Sequence, residues 1–101
     1  MRDRAVRDRA DDLAEHLDAI QGAIERARWG AEPREVLGAI RGHMRSISRE
    51  LVGNPPPGFL DGVWRMTRDV DAYEHDPGEA GIAAMLDSFA LYRSAAEGGD
   101  R

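Results

Sequence analysis

Apolar or small side chains recur at Val6, Ala10, Leu13, Leu17, Ile20, Ile24 and Ala27, in alternating steps of four and three. That spacing puts them in one stripe along a helix and predicts helix 1 from about Asp3 to Trp29. Charges one turn apart support it: Asp3 with Arg7, Arg4 with Asp8, Arg7 with Asp11. Gly30 suits the left-handed residue that closes a helix, and Pro33 suits the first turn of the next, where a missing amide proton is harmless. A second seam, Leu37, Ile40, Met44, Ile47 and Leu51 with Val36 beside it, predicts helix 2 from about Pro33 to Val52. So short a connection makes the two helices an antiparallel hairpin with facing seams.

The run Gly53-Asn54-Pro55-Pro56-Pro57-Gly58 stops helix 2, because consecutive prolines hold an extended backbone and lack amide protons. Beyond this elbow, Phe59, Leu60, Val63, Trp64, Met66, Thr67, Val70 and Tyr73 predict helix 3 over about Phe59 to Glu74. Asp76-Pro77-Gly78-Glu79 then offers an N-cap acid, a first-turn proline and a glutamate three residues on. Helix 4 is expected from about Pro77 to Ala95, with Ile82, Met85, Leu86 and Phe89 as its stripe. The fold class is therefore all-α: a four-helix bundle built on a long antiparallel helix 1–2 hairpin plus a shorter helix 3–4 pair. It forms one domain over residues 1–97, with a tail at 98–101. Gly38, Gly42 and Ser46 lie four apart on another face of helix 2, where each glycine costs roughly 1 kcal/mol against alanine, so helix 3, helix 4 or a second subunit is expected to pack closely there.

A length of 101 residues allows one core. No apolar run approaches the roughly 18–20 residues that span a bilayer, and the charged start Met1-Arg2-Asp3-Arg4 lacks the apolar stretch of a secretory signal, so a cytoplasmic location without membrane contact is expected. The absence of cysteine removes disulfides, thiolate metal sites and cysteine nucleophiles. All 14 basic residues are arginine, which removes lysine chemistry. The net charge of −5 disfavours a general nucleic-acid binder. Ten acidic and ten basic residues balance up to Val52, while from Gly53 onward nine acidic face four basic.

His16, His43 and His75 are the groups expected to titrate near neutral pH. His43 among Arg41, Arg45, Ser46 and Ser48 invites a phosphoacceptor reading. Histidine phosphotransfer domains carry His-x-Leu-Lys-Gly/Ser, however, and here His43-Met44-Arg45-Ser46-Ile47 departs from it in the place of the basic residue and in Ile47. Asp12 beside His16 and the acidic stretch Asp69 to Glu79 supply ligand types without a converging set, and the calcium-loop pattern fails at Glu74 and Ala80. No cofactor or metal is expected. Arg45-Ser46-Ile47-Ser48-Arg49-Glu50-Leu51 resembles the start of a recognition helix in helix-turn-helix proteins, which implies DNA binding through helix 2. The unbroken Leu37-to-Leu51 seam predicts one straight helix instead. The helix order, with Pro33-Arg34-Glu35-Val36-Leu37 after a long first helix, resembles chorismate-mutase-like helical enzymes. Their active-site lysine has no counterpart here.

Phe59, Trp64, Tyr73 and Phe89 sit at helical spacing and are expected in the core, whereas Trp29 falls off the seam at the hairpin turn. The hairpin seams use few large residues, so their burial at about 25 cal/mol per Å² is thin, and a second copy is expected to supply the missing surface. The reading is a small, non-catalytic protein-interaction module, self-associating as a homodimer. Its association seam would be Leu13, Leu17, Ile20, Leu37, Ile40, Met44 and Ile47; Arg41, Arg45 and Arg49 would form a charged flank, and Trp29 and Trp64 would be partner anchors. The alternatives are a helix-turn-helix-like transcription regulator and a phosphoacceptor using His43.

Overall fold

The computed structural model describes residues 2–98, with side chains from Asp12 onward. The Val6 and Ala10 part of the first stripe, the charge pairs among Asp3 to Asp11, and Gly99 to Arg101 lie outside the described side chains. Helix α1 spans Arg2–Arg28, α2 Pro33–Leu51, α3 Phe59–His75 and α4 Glu79–Ala96, with no strand among the described residues. α1 pairs with α2, and α3 with α4. α1 also packs on α4, and α2 more lightly on α3, so two hairpins enclose one core.

The α1–α2 turn is closed by backbone bonds from Ala31 N–H to the Arg26 carbonyl and from Gly30 N–H to the Ala27 carbonyl, the Schellman arrangement. It needs Gly30 at φ 93°, a conformation that a side chain would strain. Pro33 is the first residue of α2, and α2 runs unbroken through Arg41. The α3–α4 turn departs from expectation. The Asp76 amide donates to the Ala72 carbonyl, so Asp76 closes α3 and does not cap α4. α4 starts two residues later than predicted, at Glu79 after an extended Gly78, with no side-chain cap.

Leu17, Ile20, Ile24, Leu37, Ile40, Met44 and Ile47 are buried together with Met66, Val70, Met85, Phe89 and Tyr92. The two predicted seams thus face each other and the second hairpin within one chain. Neither helix 3 nor helix 4 makes the close approach expected at Gly38 and Gly42: both are exposed, a Cβ on either would meet nothing within 4 Å of its own chain, and the Ser46 hydroxyl donates back to the Gly42 carbonyl. The tight contacts lie between α3 and α4. A Cβ on Gly62 would come within 3.3 Å of the Tyr92 Cα, and one on Gly81 within 3.1 Å of the Tyr73 ring. The buried Ser88 hydroxyl of α4 donates to the half-buried Asp69 of α3, which satisfies it within the seam.

Candidate functional site

At one end of the bundle, the α1–α2 turn and the α3–α4 turn stand side by side and enclose a cleft of about 680 Å³. Its lining comes from Ala27, Arg28, Trp29 and Gly30 at the first turn, from Tyr73, Pro77 and Gly78 at the second, and from Glu79, Ile82, Ala83 and Leu86 of α4. The lining is mixed, with a charge of each sign at Arg28 and Glu79 beside apolar side chains. Its volume lies in the range of small-ligand and side-chain pockets. Trp29 follows the last residue of α1 and projects from the rim with 89% of its surface exposed, the most exposed large apolar side chain among the described residues.

The other predicted anchor, Trp64, is 62% exposed on α3, with Leu60 one turn before it also exposed. This corrects its expected place in the core: α3 buries the face carrying Phe59, Gly62, Met66, Val70 and Tyr73, which turns position 64 outward. The Arg68 guanidinium lies 5.4 Å from the centre of the Trp64 ring, a cation–π contact one turn along the helix.

Arg41 is not a free charge on the helix flank. Its Nη2 donates to Asp71 Oδ1 at 2.8 Å and Glu74 Oε1 at 2.9 Å, and its Nη1 donates to Glu74 Oε2 at 3.2 Å. The fork grips Glu74 with both nitrogens and ties α2 to α3. These bonds raise the proton affinity of Arg41, and the arginine holds the Glu74 carboxyl below the usual carboxylate range. Arg45 and Arg49 remain exposed. A matching strap joins α4 to α1, where Arg93 donates to Asp18 at 2.8 Å and to Gln21 at 3.1 Å.

The predicted association seam is used up by the fold. Leu17, Ile20, Leu37, Ile40, Met44 and Ile47 are buried in the chain's own core, and Leu13 is half-buried against it.

The histidines give the other correction, since sequence spacing offered no reason for any two to meet. The α1–α2 pairing brings His16 and His43 together with their Nδ1 atoms 2.9 Å apart and the ring centres at 5.1 Å. Burial, and then the neighbouring His16, push the proton affinity of His43 down. With Nδ1 of His43 engaged, only Nε2 is left for the phosphoacceptor role. Among the described residues no group of three or more His, Cys, Asp or Glu gathers as a metal-ligand set, and no helix is long and apolar enough to cross a membrane.

No protein-family model, curated protein or solved structure matches the chain.

Proposed function

We propose that the protein is a non-catalytic, cytoplasmic helical interaction module that self-associates through its Trp29 end, where one copy's indole enters the cleft of the other. The observation that carries this reading is the pairing of a projecting Trp29, 89% exposed, with an adjoining cleft of about 680 Å³. A two-fold contact uses one patch twice, so that patch must carry both a protrusion and a recess that fits it. Here both lie on the same few residues. Leaving an indole in water forgoes a large apolar burial, and tryptophans set into partner pockets commonly dominate association energies. The expected homodimer is retained, and its contact moves from the hairpin seam to the end of the bundle.

Sedimentation equilibrium over the micromolar range tests the proposal. The wild type is expected to dimerise, Trp29→Ala to be monomeric at the same concentrations, and Trp64→Ala to dimerise as the wild type does. A wild type that stays monomeric, or a Trp29→Ala variant that dimerises unchanged, overturns it. Trp29 touches so little of its own chain that its removal leaves the fold intact.

A further inference from the structure

His16 and His43 stand on different helices, 27 residues apart in sequence, yet their Nδ1 atoms lie at hydrogen-bond distance. The ring centres at 5.1 Å and the 49° between ring planes show imidazoles meeting end to end, not stacked. In that geometry one Nδ1 must donate and the other accept, so the bond requires at least one ring to keep an unprotonated Nδ1. A metal ion is a poorer occupant of the gap. Two imidazoles around a tetrahedral ion, each about 2.0–2.1 Å from it, hold their nitrogens wider than 2.9 Å, and no third ligand joins them among the described residues.

We infer that the His16–His43 pair is a proton-operated latch between α1 and α2, closed while no more than one of the two rings is imidazolium and released when both are. Two imidazolium rings cannot bond through Nδ1, and they bring like charges together at a half-buried site between the helices. No ion pair joins either ring among the described residues. On α1, Asp12 precedes His16 by one turn and Glu15 adjoins it. On α2, Arg45 and Glu50 follow His43. The groups that meet these helices from the second hairpin are tied off elsewhere, Asp71 and Glu74 at Arg41 and Arg93 at Asp18. His43 is held down by burial and by His16, with no carboxylate acting the other way.

The sign follows from proton counting. The unfolded chain takes up a proton at His43 near the ordinary histidine value of 6.5, while burial and the neighbouring His16 hold the folded His43 below it. Stability from the latch is therefore complete above about pH 6.5 and is lost as the pH falls through the lowered folded value.

Thermal melts of the whole chain between pH 7.5 and 5.0 test this, comparing wild type with His16→Asn/His43→Asn, whose amides can bond but do not titrate. The wild-type midpoint is expected to fall by about 5 °C, and the double variant to lose most of that fall. Equal falls in both overturn the inference. Should the double variant not fold, imidazole nitrogen shifts of the wild type decide the question. Two separated protonation steps for the pair support the latch, and two independent steps both near 6.5 overturn it.

Discussion

Gly62 of α3 lies directly against Tyr92 of α4, so close that a Cβ on the glycine would come within 3.3 Å of the tyrosine Cα. The obstacle is backbone, which gives way only if the two helices move apart. Gly62→Ala is expected to destabilise the fold by about 1–3 kcal/mol, the range of an overpacked core, despite the helix-propensity gain. Gly38→Ala and Gly42→Ala meet open space on α2 and are expected to stabilise it by about 0.5–1 kcal/mol each. Urea unfolding of the three variants checks both signs.

The Tyr92 hydroxyl is buried with no hydrogen-bond partner among the described residues. Burial also raises its proton affinity, since the charged phenolate is excluded there. Tyr92→Phe keeps the ring contacts with Phe59 and Phe89 and removes the unpaired group. It is expected to raise stability by about 1–2 kcal/mol, read as a higher urea midpoint at unchanged slope.

Glu74 shows a second acid-sensitive contact, distinct from the histidine pair. Its carboxyl is held below the ordinary 4.5 by the hydrogen bond and charge of Arg41. The stabilisation it brings is present above that value and lost as the pH drops through the lowered one. Glu74→Gln is expected to lower the melting midpoint at pH 7 and to flatten the wild type's loss of stability below pH 4.5. The difference at pH 7 should shrink in high salt, because the pair is exposed.

Ile40 is fully buried inside the predicted association seam. Ile40→Ala is expected to cost about 2–5 kcal/mol of folding stability. If the seam belongs to the monomer core alone, the dissociation constant of the proposed dimer is expected to be unchanged. A weaker dimer with unchanged stability would return the seam to the interface.

The helices and their pairing were legible because a three-and-four repeat of apolar residues fixes which face is buried, and a short Gly-to-Pro turn fixes that neighbours are antiparallel. Whether the seam is also an interface was not legible, for a related reason. Periodicity shows that a stripe is buried, but not whether its own chain or a second one covers it. Gly62 and Gly81 went unnoticed beside the regular Gly38 and Gly42 because close approach depends on which residue of the facing helix lies opposite. Trp64 was misplaced because it borders the apolar stripe of α3 without being on its centre. The His16–His43 contact depends on the α1–α2 register, and spacing along either helix carries no trace of it. Trp29 was legible as the aromatic that fits no stripe.

The most direct test of the Trp29-end dimer is the fluorescence of Trp29 alone, in a Trp64→Phe background that leaves one indole in the chain. On raising the concentration from nanomolar to tens of micromolar, emission is expected to shift to the blue and to become shielded from a soluble quencher as the indole enters the partner's cleft. An emission that stays that of a water-exposed indole at every concentration, while sedimentation shows a dimer, would place the contact elsewhere and contradict the account.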